Sequence, residues 1–487
     1  MPNNKLFRGW LSPLIHLANN WVSMLGVAVV TSETVFWLFT LPTAFFGQPK
    51  NPYIGILAYL VLPGFFFGGL ALIPLGIFLR RRRLVSGELE PASLGPLSWA
   101  NREVRRLVTL VGLLTFANIV IASQLTYGAV TYMEGVQFCG TTCHTVMQPE
   151  YMAYQNSPHS RVECVQCHIG PGASWFVQSK LSGVGQVFAV MLNNYPRPIP
   201  VPVHNLRPAQ DTCETCHWPQ KYAADRLKIF PRYAEDETNT STKTVLMLKL
   251  GGGNKGIGIH GTHLGAGVKI RYAAADEQRQ KIPWIQYNGP GRQTVYTSGG
   301  TPVDTNKLAV RDMDCLDCHN RPAHAFELPD RALDSAMFGG LIATDLPQMK
   351  KKGLELLKAV YPSREDAAVK IPKSLDDFYK QNYAGVYAQR QKDIAAAGRE
   401  VLSIWERNIF PEMKVSWGRY PLNIGHTDSP GCFRCHDDDH ASPDGRKVSQ
   451  DCSACHSLLS VEEGSPKILQ DLGLSAGENT VPTPAKK

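Results

Sequence analysis

The sequence predicts a mainly α-helical protein in two parts: three membrane helices at the N-terminus, then an exterior domain with a small β-rich insertion. Three observations carry that reading. Long apolar segments recur three times in the first 131 residues, helical apolar spacing recurs over 346–412, and all twelve cysteines fall into six pairs, each followed by histidine.

The apolar segments run over 21–46, 55–79 and 107–131. Each is long enough to cross a hydrocarbon core, which takes about 20 residues as a helix. A cleaved leader is not followed by two more spans. Lys5 and Arg8 precede the first segment, and Arg80 to Arg83 with Arg102, Arg105 and Arg106 fill the second loop, whereas the first loop carries only Lys50. Basic residues stay on the cytoplasmic side, so the N-terminus is expected inside and everything after about residue 132 outside. Residues 1–131 hold ten Lys and Arg against four Asp and Glu; the remainder holds forty against thirty-eight. Most of the net charge of +8 therefore belongs to the anchor, and a nucleic-acid partner is excluded as an expectation. Glu33 lies mid-span, where an ionisable group suggests a function. Gly64-x-x-x-Gly68 predicts a close helix approach.

Five cysteine pairs read C-x-x-C-H: Cys164/Cys167/His168, Cys213/Cys216/His217, Cys315/Cys318/His319, Cys432/Cys435/His436 and Cys452/Cys455/His456. The first pair, Cys139-Gly-Thr-Thr-Cys143-His144, is one residue longer. C-x-x-C-H is the attachment signature of c-type haem: two thiols form thioethers and the adjacent histidine reaches the iron. Zinc sites do not require a histidine after every second cysteine, and disulfide frameworks require none. Six covalently bound haem c groups are expected.

Histidine number agrees. Of fourteen histidines, six close the motifs and His16 precedes the first span. His159, His204, His260, His263, His324, His426 and His440 remain, with Met147 as a further axial donor. At least one of His260 and His263 is expected to be spare. An iron closed on both faces has no open position for a substrate, so the count favours electron transfer over catalysis at haem.

The exterior chain divides into blocks. Residues 1–131 form the anchor and 132–220 hold the first three motifs and a proline-rich connection. Residues 221–345 carry the β-rich insertion and the fourth motif, with strands expected at 242–250, 268–273, 282–287 and 293–298 between glycine-rich turns. Helical spacing at 346–412 involves Leu354, Leu356, Leu357, Val360, Ile394, Val401 and Ile404. Residues 413–466 hold the fifth and sixth motifs, and 467–487 read as a polar, disordered tail.

The segment after the third span is specific. Phe138-Cys-Gly-Thr-Thr-Cys-His-Thr-Val-Met147, Tyr151, Ser157-Pro-His159 and Cys164-Val-Gln-Cys-His-Ile169 resemble the NapC/NirT/NrfH family of membrane-anchored multihaem quinol dehydrogenases. Family members often have one membrane helix and four haems, so this chain resembles an enlarged member. The resemblance implies oxidation of quinol, expected to be menaquinol, at the outer face of the bacterial cytoplasmic membrane. Electrons then pass to periplasmic soluble or multihaem cytochromes. It also implies a quinol pocket with a lysine and an acid after the second motif. Lys180 matches the lysine, while Gln186 stands at the acidic position, leaving Glu134 and Glu150 as substitutes for the proton acceptor. His144 and Met147 remain alternatives as ligand to the first iron. Two other readings stand beside quinol oxidation: an electron relay within a larger complex, and a multihaem reductase with one open iron.

Overall fold

The computed structural model describes residues 18, 20–46, 61–87, 102–142, 144–203, 206–218, 224–252 and 257–474. His16, Cys143, His204, residues 55–60 of the second apolar segment, residues 475–487 of the tail and the His144 side chain lie outside the described residues. The chain divides into two units, Met1–Phe138 and Cys139–Lys487.

The first unit contains α1 (Trp21–Phe46), α2 (Leu62–Val85) and α3 (Arg102–Glu134). Small residues set the approach of α1 to α2. A Cβ added at Gly26 would stand 2.6 Å from the Gly69 carbonyl oxygen, and one at Gly76 would collide with Ser23 and Asn20. The Ser23 hydroxyl donates to the Ile73 carbonyl at 2.9 Å. Residue numbers rise along α1 as they fall along α2, so the two run antiparallel. The close approach that Gly64-x-x-x-Gly68 permits is not seen among the described residues, where a Cβ at either position meets nothing within 4 Å. Gly69 and Gly76 replace it because their spacing of seven places both on the side facing α1. Thr34 hydrogen-bonds Asn118 and so ties α1 to α3. Glu33 Oε2 is buried, and among the described residues no hydrogen bond reaches it. Among the described residues one helix, α2, is long and apolar enough to cross a membrane, with a mean hydropathy of 2.0.

The second unit is mostly helical, with two antiparallel sheets. It begins on a π-turn, Phe138–Thr142, followed by α4 (His144–Gln155) and α5 (Ala173–Met191). The strands are β1 (Arg226–Tyr233), β2 (Ser241–Leu248), β3 (Lys269–Ala274), β4 (Trp284–Gly289), β5 (Arg292–Thr297), β6 (Ala309–Asp312) and β7 (His456–Glu463). One sheet has the order β1-β2-β7 and the other β5-β4-β3-β6. The four expected strands correspond to β2 to β5, but they divide between two sheets. β7 comes from beyond the last motif and sets Leu248 opposite His456. No local pattern in 221–345 announces that long-range pairing.

Four helices form a haem-free bundle: α6 (Pro329–Phe338), α7 (Met349–Lys358), α8 (Arg364–Asn382) and α9 (Ala384–Asn408). Leu354, Leu356, Leu357, Ile394, Val401 and Ile404 are buried, as their spacing predicts, around Trp405 and Tyr379. Val360 departs from the expectation and is 94% exposed. Pro362 disfavours helix at the residue before it, α7 stops at Lys358, and Tyr361 takes the buried place instead. The bundle is fastened to the first sheet by buried polar groups. Lys350 Nζ donates to Asp334 at 2.7 Å, and Asp334 accepts from the Tyr233 amide at 3.1 Å. The Asn239 amide group donates to the Thr344 and Leu346 carbonyls at 2.9 and 2.8 Å. Within the segment read as a polar tail, Lys467–Asp471 is helical and Leu469 is buried, because its apolar side chain has a surface to cover.

Candidate haem and electron-transfer sites

Each regular motif forms a compact turn, α-helical at Cys164–His168, Cys315–Cys318 and Cys452–Cys455, 3-10 at Gly431–Arg434, and a hydrogen-bonded turn from Cys213 to Cys216. This brings the two thiols, three residues apart, to one side. The amide of the motif histidine bonds the carbonyl of the first cysteine in four motifs: His217 to Cys213, His319 to Cys315 and His436 to Cys432, at 2.8, 2.8 and 3.0 Å, and His456 to Cys452. Acidic caps start two of the turns. Asp314 accepts from the Leu316 amide at 2.8 Å, and Asp451 from the Ser453 amide at 2.9 Å.

Five motif histidines face a second histidine from elsewhere in the chain. The pairs are His168 with His324, His217 with His159, His319 with His260, His436 with His263, and His456 with His426. Their ring centroids stand 6.2, 6.0, 6.4, 5.8 and 6.2 Å apart, respectively. Two imidazoles on opposite faces of one metal ion require about 6 Å between ring centres: two metal–nitrogen bonds of about 2 Å and two ring radii of about 1 Å. Ordinary stacking also brings rings to such distances. It gives no reason for every pair to join one motif histidine to one outside the motifs.

The second ring nitrogen is held in several cases, which leaves Nε2 for the partner direction. Nδ1 donates to a backbone carbonyl in His159 (Pro322, 3.1 Å), His263 (Ile259, 2.7 Å), His324 (Glu150, 3.0 Å) and His436 (Ser449, 2.9 Å). Burial pushes His168, His260, His263, His319 and His456 below the usual imidazole range, favouring the neutral ring that a metal ligand must be. The residues present therefore fit haem at the five regular motifs.

His260 and His263 lie three apart on the short helix Gly258–Leu264, so one face presents both. Amides of Ile259 and His260 bond the Lys249 and Leu250 carbonyls at 2.9 and 2.8 Å, fastening that helix just beyond β2. Gly251, at φ +57°, lies against the Ile257 carbonyl with no room for a Cβ. The sequence leaves room for one of the two to be spare, but each faces a motif histidine, because the helix reaches two motifs at once.

His440 departs in the other direction. It is 2% exposed; Nδ1 faces the Asp437 carboxylate at 2.9 Å, and Nε2 faces the Ile282 carbonyl at 2.6 Å. Both nitrogens face oxygen atoms of the chain, and among the described residues no motif histidine is paired with this ring. At the first motif, Cys139 is half-buried in its π-turn and Met147 half-buried on α4. Tyr151 packs on Gly140 with no space for a Cβ.

The residues expected to serve a quinol are less concentrated. Lys180 lies on α5 with Nζ 4.9 Å from the centre of the Phe176 ring. Gln186 is exposed on the same helix, and six residues of separation turn it about 120° away from Lys180. Glu134 ends α3 in the first unit. Glu150 is in a different position from a free base. Arg321 donates to both its carboxylate oxygens at 3.0 and 2.8 Å, and His324 Nδ1 stands 3.3 Å from one of them.

Consecutive motifs lie near one another. Cys164 hydrogen-bonds Cys139, which pulls its thiol down to about 7. Cys213 hydrogen-bonds Cys315, which pushes its thiol up. Cys167 interacts electrostatically with Cys216, and Cys432 with both Cys318 and Cys455. Thioether formation removes the protons but not the proximity. The contacts run first to second, second to third, and onward to the sixth motif in chain order.

A model of the NapC/NirT cytochrome c family, N-terminal region, matches residues 101–199. The chain is 37% identical over 445 residues to cytochrome c-type protein ImcH of Geobacter sulfurreducens, covering 90% of this chain and 88% of that protein. The chain belongs to the NapC/NirT cytochrome c family. A shorter match, 28% identical over 114 residues, reaches cytochrome c-type protein NrfH of Wolinella succinogenes and covers 23% of this chain and 62% of that one. No solved structure matches. Membership in the NapC/NirT family brings covalent haem c, membrane anchoring and electron transfer.

Proposed function

We propose that the protein is a quinol dehydrogenase of the bacterial cytoplasmic membrane. It spans the membrane three times, with its N-terminus in the cytoplasm, and passes electrons from menaquinol through six haem groups to periplasmic cytochromes. The observation that carries the reading is the order of neighbouring motifs, which follows the chain from Cys139 to Cys455. The line starts five residues beyond the last residue of α3, where a lipid-soluble donor is available, and leads toward soluble acceptors.

Haem c, when bound, supplies one-electron transfer. The chain's own residues do the rest. Paired thiols would fix each group, and the five histidine pairs would hold the groups at motifs two to six, which argues against substrate turnover there. A reductase reading is thereby confined to the first motif. Menaquinol loses two electrons and two protons on oxidation, so a base must stand near the first motif. Lys180 on α5 is assigned to bind and polarise a quinol oxygen.

Anaerobic mixing of the oxidised full-length protein in detergent with a menaquinol analogue tests the reading. Reduction of the haems is expected, slowed at least tenfold in Lys180→Ala with the haem content unchanged. Failure of every quinol to reduce a fully haem-loaded protein would sink it.

A further inference from the structure

The two variable positions inside C-x-x-C hold opposite charges in the fourth and fifth motifs, Asp317 and Arg434, and the structure joins them. Asp317 has a side chain only 2% exposed. It accepts from the Tyr272 hydroxyl, stands 3.4 Å from both Arg279 Nη1 and Arg311 Nε, and closes a capping box with the Asp314 amide at 2.7 Å. Arg434 reaches out of the fifth motif. It donates to the Asp317 carbonyl at 2.6 Å and to the Arg279 carbonyl at 2.8 Å. Asp317 and Arg434 each immediately precede the second cysteine of their motif, Cys318 and Cys435. A buried ion set of this size is weak evidence for stability, because desolvation offsets most of the attraction.

We propose that the Asp317 carboxylate and the Arg434 guanidinium, linked through the Asp317 main-chain carbonyl, set the reduction potentials of the haem groups attached at the fourth and fifth motifs. The assignment rests on the haem line proposed above and is independent of the quinol step. Reduction lowers the charge of the ferric site by one. A fixed anion beside the attachment sulfur therefore favours the oxidised form and holds the potential down, while a fixed cation holds it up. Burial magnifies both effects, since the local dielectric is low. Tyr272 keeps the anion in place: burial first, and then the Asp317 charge, hold its phenol above the usual range, so it remains a proton donor to the carboxylate.

The test is a spectropotentiometric titration of the full-length protein, reduced and oxidised chemically without quinol, with haem per chain counted by mass. Asp317→Asn is expected to raise one midpoint and Arg434→Gln to lower one. Each should change the reduced-to-oxidised ratio at fixed ambient potential about tenfold, which is about 59 mV for a one-electron couple. A purely structural bridge would not give opposite signs. Shifts in the same direction, or shifts below threefold in both fully loaded variants, would overturn the proposal. If either variant loses haem, Arg279→Gln decides, since that guanidinium is partly exposed. A lowered midpoint supports the proposal and an unchanged or raised one refutes it. A chain without haem at motifs four and five would instead show in the mass, and would refute the haem line itself.

Discussion

His440 and His263 look alike in the sequence, and the structure gives them opposite tasks. In His440→Ala, the Ile282 carbonyl loses its buried donor, and a cavity opens at a position only 2% exposed. Asp437 loses a partner too, but its side chain is 30% exposed and water can take over that bond. A buried acceptor left without a donor costs about 1–3 kcal/mol, and incomplete collapse of the cavity adds to this. The expected destabilisation is about 2–4 kcal/mol, a fall in melting temperature of order 5–10 °C at the about 2–4 °C per kcal/mol of a sizeable domain. The haem spectrum should not change. His263→Ala should do the reverse in the spectrum, leaving the His436 group with one open face and converting one haem per chain to the high-spin form. Electron paramagnetic resonance of the oxidised proteins, with thermal melts followed in parallel, reads both outcomes. A high-spin haem in His440→Ala would refute the structural role. An unchanged low-spin spectrum in His263→Ala would refute the pairing.

Glu150→Gln should lower the melting temperature by the equivalent of about 3–5 kcal/mol, because Arg321, 6% exposed, loses its counter-charge. The midpoint of the His168/His324 group should rise as well, since a carboxylate beside Nδ1 makes the ligand more basic. A redox titration and a melt on the same sample check the two effects. Gly76→Leu should separate α1 from α2 through collision with Ser23 and Asn20, at a cost of about 1–3 kcal/mol or more. Gly64→Leu should be tolerated; the yield of haem-stained protein in membranes compares the two.

The motifs were legible because attachment chemistry is local: one compact turn contains both thiols and the histidine, and spacing reports it. The bundle core was legible for the same reason, apart from α6 and the break at Val360. Axial pairing was not, because His263 meets His436 only after the chain has built two sheets and the bundle. His440 followed its motif by four residues much as His324 follows its own by five, yet Asp437 captures one ring while the distant Glu150 carbonyl holds the other. The small residues of α2 illustrate the limit in the anchor: the sequence contains two small-residue spacings, and only the approach of α1 selects Gly69 and Gly76. Asp317 and Arg434 were passed over because the x positions of C-x-x-C carry no attachment chemistry.

The account's central claim is an unbranched path from quinol outward, and interrupting it tests that claim most directly. In a full-length protein with Cys315→Ser and Cys318→Ser, the fourth group is absent. A menaquinol analogue should then reduce the haems of motifs one to three at the normal rate, while those of motifs five and six stay oxidised until dithionite is added. Reduction of all five remaining groups by quinol, as fast as in the unaltered protein, would contradict the path.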